Sequence, residues 1–221
     1  MKDTKIIKNK FGYSFKEEFA NTVTHSIGLL LSVTGSVFLI INTLMNHSQW
    51  NYLLSAIVFS ISLILLYTTS SLYHAVKNEK LKYFLQKLDH CSIYILIAGS
   101  YTPFTLISLY SSSGLYLFLF IWSLAVLGIV IESYSFKYSF HISMALYIIM
   151  GWFVLFFFQT LFHTLDVRGL ILIIAGGLFY TFGIIFFIWE RIPYNHTVWH
   201  LFVLGGSISH YFAVLYCMGA I

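Results

Sequence analysis

Two pairs of polar residues in this sequence stand four apart: Ser70 with His74, and His196 with His200. One helical turn separates the members of each pair, so each pair shares a helix face. Three imidazoles around an open fourth position make a zinc site of the catalytic type. Neutral ligands suit an apolar setting because they bring no charge of their own. The positive charge of the metal would offset the burial of a carboxylate, and Asp89 is placed to accept a hydrogen bond from metal-bound water. Zinc lowers the pKa of such water to about 7, which makes hydroxide available at neutral pH. Glu18, Asn21 and His25 occupy the first turns of the first predicted helix and join this polar set.

Each residue taken alone has a plainer reading. His74 precedes Lys77 by three positions and reads as an interfacial histidine. Two histidines four apart on a helix are a weak motif. Asp89 could cap the third helix or pair with Lys87. Ser70 reads as a helix serine bonded back to its own backbone, and Glu18 and Asn21 as an ordinary helix start. The metal reading overtakes these because all the residues converge on one membrane face.

That convergence depends on the elements that carry them. Of 221 residues, 59% are hydrophobic and only 9% charged, where a soluble domain would carry charge at about a quarter of its positions. Mean hydropathy is +0.83, and apolar runs of about 20 residues recur throughout, as in a polytopic helical membrane protein. An all-α bundle of seven transmembrane helices is predicted near 20–45, 52–76, 88–109, 114–132, 141–162, 168–189 and 194–218. No linker, repeat or low-complexity stretch divides the chain, so residues 1–221 read as one integral membrane domain with a short basic tail at 1–16. The N-terminal stretch lacks the features of a cleavable signal peptide. Cys91 and Cys217 form no framework spacing.

The net charge of +4 does not point to nucleic acid, because the basic residues lie in short segments between helices. Lys2, Lys5, Lys8, Lys10 and Lys16, then Lys77, Lys80, Lys82 and Lys87, then Lys137 and Arg191 fall on one side; the other carries only Arg168. By the positive-inside rule the N-terminus is cytoplasmic and the C-terminus outside, as expected for a multi-pass protein of the inner (plasma) membrane. Glu18, Asn21, His25, Ser70, His74, Asp89, His196 and His200 then all lie at the cytoplasmic end. One depth mismatch arises. A helix from Arg191 to His200 rises about 13 Å, whereas Lys77 to His74 spans about 5 Å. Either the last helix starts nearer the cytosol or the second unwinds late.

Other histidines take duller roles. His210, about 15 Å deeper than His200, is out of reach of the same metal and reads as a hydrogen-bonded core residue. His47 and His163 read as solvated interface residues, His90 as pointing away from Asp89, and His141 takes no role. Trp50, Trp152 and Trp189 are expected near the interfaces. Gly176-Gly177 and Gly205-Gly206 permit close helix approach.

The segments "EEFANTVTH" (17–25), "SSLYH" (70–74), "LDHCSIYILIAGSYTPF" (88–104) and "HTVWHLFVLGGSISHYFAV" (196–214) resemble the bacterial hemolysin III family. That family belongs to the progestin and adipoQ receptor (PAQR) family, within a wider superfamily that includes alkaline ceramidases. The resemblance covers nearly the whole chain. It implies zinc ligands at His74, His196 and His200, a helix-three acid at Asp89 contacting the metal-bound water, and a helix-two serine at Ser70 near the site. It also implies support around the ligands from Glu18, Asn21 and His25. The long N-terminal region of the receptor branch has no counterpart here, and the outer connections are short, which disfavours docking of a protein hormone.

Three functions follow as expectations. The first is a zinc-dependent hydrolase of lipid amides or esters, of ceramidase type, with Asp89 as general base and Ser70 assisting the oxyanion. The second is a non-catalytic sensor or regulator of membrane lipid with structural zinc. The third is a pore-forming or cytolytic protein, as the family name suggests.

Overall fold

The computed structural model describes residues 12–134, 139–189 and 191–221; Lys2, Lys5, Lys8, Lys10 and Lys137 lie outside them. The described residues form α1 (Phe15–Asn46), α2 (Trp50–Ala75), α3 (Glu79–Pro103), α4 (Gly114–Tyr134), α5 (Ser139–Trp152), α6 (Phe158–Thr164), α7 (Val167–Ile188) and α8 (Asn195–Cys217). A π-helical turn at Phe104–Ser108 extends α3, and a 3₁₀ segment at Phe153–Phe157 joins α5 to α6. Seven spans among these are long and apolar enough to cross a membrane, α5 and α6 together making the fifth.

Two helices begin well before the predicted starts. A capping box opens α1: the Glu17 backbone N–H donates to Ser14 Oγ at 3.3 Å, and the Ser14 N–H donates to Glu17 Oε2 at 2.7 Å. Two orphan donors of the first turn are thereby satisfied. Asn78 caps α3, accepting from the Leu81 N–H at 3.1 Å. Both extensions are polar turns, which hydropathy passes over. Lys80, Lys82 and Lys87 therefore sit on α3 and not in a connection.

Sequential helices pack side by side: α1 on α2, α2 on α3, α3 on α4, and α7 on α8, with α8 returning to α1. The third span is the central stave, 72% of its apolar window being buried against 11% for α7. Its inward face carries Lys82, Leu85, Asp89, Ser92 and Leu96. Small residues set the spacing between staves. A Cβ on Gly28 of α1 would lie 2.3 Å from the Tyr67 ring of α2, so only glycine permits that contact.

The break in the fifth span is held from α3. The Tyr101 hydroxyl donates to the Met150 carbonyl at 2.7 Å and accepts from the Val154 N–H at 2.8 Å, serving backbone groups the interrupted helix leaves over. Trp152, expected near an interface by residue type, stands in the middle of the fifth span. It lies at the break, where its indole N–H donates to Thr181 Oγ1 of α7 at 2.9 Å.

Candidate metal centre

His74 occupies the last turn of α2, and His196 and His200 the first two turns of α8. The depth mismatch disappears because residues 191–194 form turns and not helix, so α8 climbs only from Asn195. Pro193 stands in those turns, and Tyr194 takes a left-handed conformation (φ 58°) that leads the chain into the helix.

The three imidazoles are buried and offer ligand nitrogens that all lie within 4.8 Å of one another. Among the described residues this is the one group of three or more such side chains that could hold a metal ion. Each ring is engaged through Nδ1. His74 Nδ1 lies 2.7 Å from Glu18 Oε2. His196 Nδ1 lies 3.1 Å from the Tyr13 hydroxyl. His200 Nδ1 lies 3.3 Å from the Asn21 carbonyl and 3.2 Å from Thr24 Oγ1. All these partners come from residues 13–24, so the start of α1 acts as one template for rings on α2 and α8. With Nδ1–H donating, each Nε2 carries a lone pair. His74 Nε2 and His196 Nε2 are buried without a hydrogen-bond partner, a costly state unless something binds there. The donor set therefore fits a cation: neutral nitrogens, oriented from behind and within 4.8 Å of one another.

Behind His74 the network continues. Glu18 Oε1 pairs with Lys82 Nζ at 2.9 Å, and Lys82 also donates to the Tyr73 carbonyl at 2.7 Å. Asn21 accepts from Thr197 Oγ1 of α8, and its Nδ2 lies 3.4 Å from His74 Nδ1. His25 stacks on His200, with ring centroids 3.5 Å apart and planes at 17°, and both its ring nitrogens are buried without partners. Lys82, Tyr13, Thr24 and Thr197 were not among the residues singled out from sequence. Lys82 had a legible signal, since it stands one heptad before Asp89 on the inward face of α3. Tyr13 had none, lying outside any helix and 183 residues from His196.

Asp89 and Ser70 come together beside the cluster. Ser70 is fully buried, and its hydroxyl adjoins the Asp89 carboxyl without a well-formed hydrogen bond. Asp89 neither caps α3, which starts ten residues earlier, nor pairs with Lys87, whose ammonium donates to the Ser133 carbonyl at 3.1 Å. A cavity of about 310 Å³ opens from Ser70, Asp89, His196 and His200 and runs between α3, α5, α7 and α8 to Tyr101, Trp152 and His210. Its walls are mostly apolar beyond the first turn. His90 turns away from Asp89 to meet Glu132 Oε1 at 2.8 Å, yet it still borders this space.

The remaining histidines lie apart from the cluster. His47 Nε2 donates to the Met218 carbonyl at 2.8 Å and its ring stacks on Tyr52, at the opposite end of the bundle. His141 and His163 are exposed.

Residues 13–211 match the family model described as "Haemolysin-III related". The chain belongs to the haemolysin-III related family. The hemolysin-3 homolog of Bacillus subtilis (strain 168) is 42% identical over 207 residues, covering 93% of this chain and 97% of that protein. The hemolysin-3 of Bacillus cereus is 42% identical over 201 residues, 91% of each chain. The human monocyte to macrophage differentiation factor is 28% identical over 207 residues, covering 90% of this chain and 83% of its own length. Together with the seven spans, these make the chain a multi-pass haemolysin-III related membrane protein with a buried three-histidine cluster.

Proposed function

We propose that this haemolysin-III related protein is a zinc-dependent hydrolase of membrane-lipid amides or esters, of the ceramidase type, forming one membrane-embedded unit. The observation that carries the reading is the set of three inward imidazoles, each held at Nδ1, two with bare buried Nε2 atoms, beside a buried carboxylate and an apolar cavity.

His74, His196 and His200 would hold the zinc. Bound zinc supplies a Lewis acid and water acidified to near neutral pH. Asp89 is the general base: its carboxylate takes the proton of the attacking water and passes it to the leaving amine or alcohol. The Ser70 hydroxyl, buried beside Asp89 without a hydrogen bond of its own, donates toward the oxygen on which charge develops. Glu18, Asn21 and His25 support the ligands from behind. The apolar cavity receives the lipid chains and keeps bulk water from the scissile bond. The lysine and arginine distribution supports placing this end of the bundle at the cytoplasmic face of the inner membrane, the depth of a lipid carbonyl.

Purified protein should release product from members of a broad lipid panel, and a chelator should stop it. Asp89→Asn should retain the metal and lose turnover. Absence of metal-dependent product from every lipid would overturn the hydrolase reading. Retained metal with full cellular function in Asp89→Asn would favour the lipid sensor with structural zinc. The name of the Bacillus relatives favours lysis, and dye release from protein-loaded liposomes tests it.

A further inference from the structure

His210 takes no part in the three-histidine site. It stands ten residues beyond His200 on α8, about 15 Å further along the helix axis. Its ring is nevertheless built into the deep end of the same cavity, and it also borders a smaller space beyond it. Its Nε2 lies 3.3 Å from the Ile173 carbonyl of α7. A carbonyl only accepts, so Nε2 carries the proton and Nδ1 keeps its lone pair. Among the described residues Nδ1 has no hydrogen-bond partner, and the ring borders the cavity. Room for the ring comes from Gly176, where a Cβ would stand 2.2 Å from His210 Cδ2.

The polar side chains around it each have a hydrogen-bond partner already. Tyr180, edge-on to His210 with centroids 5.5 Å apart, has its hydroxyl 3.0 Å from Ser207 Oγ. Thr181 Oγ1 donates to the Gly177 carbonyl and accepts from Trp152. Ser100 Oγ donates to the Ile97 carbonyl of its own helix. His210 Nδ1 is thus an acceptor left over for whatever fills an otherwise apolar space, where an unmet lone pair is costly.

We propose that His210 Nδ1 accepts a hydrogen bond from a hydroxyl carried part-way along the chain of an amphiphile whose head lies at the three-histidine end. The cavity thereby measures the distance from head to hydroxyl and selects chains hydroxylated at that distance over unsubstituted ones. This rests on the reading that the cavity takes a lipid, and not on that lipid being hydrolysed.

Trp152 and Trp199 line the cavity and report its contents. Quenching of their fluorescence by a brominated octadecanoic acid, with protein in detergent micelles, gives a binding signal that needs no turnover. Unlabelled octadecanoic acid then competes against the same acid with a hydroxyl beside the carboxyl, or about twelve carbons along, the ~15 Å that separates the two histidines along α8. Wild type should prefer the mid-chain hydroxyl by about fivefold over both others. His210→Phe should keep octadecanoic acid and lose that preference. His210→Gln, which can donate to Ile173 and still accept, should restore much of it. Equal competition by all three acids in wild type overturns the proposal, with water serving Nδ1 instead; so does a preference that survives His210→Phe. Absence of quenching by any acid overturns it together with the lipid reading of the cavity. Absence of hydrolysis with the preference intact sinks only the hydrolase.

Discussion

Replacing Glu18 with glutamine separates the two tasks of its carboxylate. One oxygen stands 2.7 Å from His74 Nδ1 and the other 2.9 Å from Lys82 Nζ, with both partner side chains at most 5% exposed. On the histidine side, losing a carboxylate behind a metal-ligating ring costs about 10–100-fold in metal affinity, ~1.4–2.7 kcal/mol. On the lysine side, breaking a buried ion pair costs about 3–5 kcal/mol of stability because the surviving charge stays desolvated. The Tyr73 carbonyl at 2.7 Å and the Tyr73 ring at 4.6 Å remain around the ammonium, which places the loss near the lower end, ~3 kcal/mol. Glu18→Gln should therefore bind zinc at least about tenfold more weakly in a competitive chelator titration and unfold at lower temperature. Adding Lys82→Met removes the buried ammonium. The double variant should recover most of the thermal stability and none of the zinc affinity. Wild-type affinity in Glu18→Gln would refute the orientation of His74 through Nδ1, and recovered affinity in the double variant would refute the division of labour.

Elemental analysis should find about one equivalent of metal in wild type, and His74→Ala, His196→Ala and His200→Ala should each lose it; retention in any one removes that ring from the ligand set. Gly28→Ala should lower stability by about 1–3 kcal/mol, because the new methyl meets the Tyr67 ring at 2.3 Å; an unchanged melting temperature would mean that α1 and α2 can part without loss. A C-terminal alkaline phosphatase fusion should be active and an N-terminal one inactive in cells, and the reverse pattern would overturn the cytoplasmic placement of the metal end.

The polar end of the bundle was partly legible in the sequence, and the misses share a cause. Hydropathy detects segments that lipid must accommodate, so it found the apolar centres of all seven spans. It passed over Phe15–Phe19 and Glu79–Lys87, which are helical through capping and propensity but largely polar in composition. Lys82 reads as a topological charge for the same reason, though its ammonium is buried against Glu18. By residue type Trp152 belongs at an interface, whereas the broken fifth span turns its indole to Thr181. The pairs Ser70/His74 and His196/His200 were readable because a helix converts a spacing of four into a shared face without help from the rest of the chain.

What the sequence determined alone is whatever depends on neighbours within one helix: span count, apolar centres, and which polar side chains lie on one stripe near one end. What only the tertiary structure decided is everything that crosses between helices: that α2 and α8 meet with their rings convergent, that residues 13–24 hold all three Nδ1 atoms, and that Lys82 lies inside. The physical reason is range. Helical periodicity is set by hydrogen bonds four residues apart, whereas the ligand geometry is set by contacts between residues 53 to 183 positions apart, and those are fixed by the packing of one helix against another.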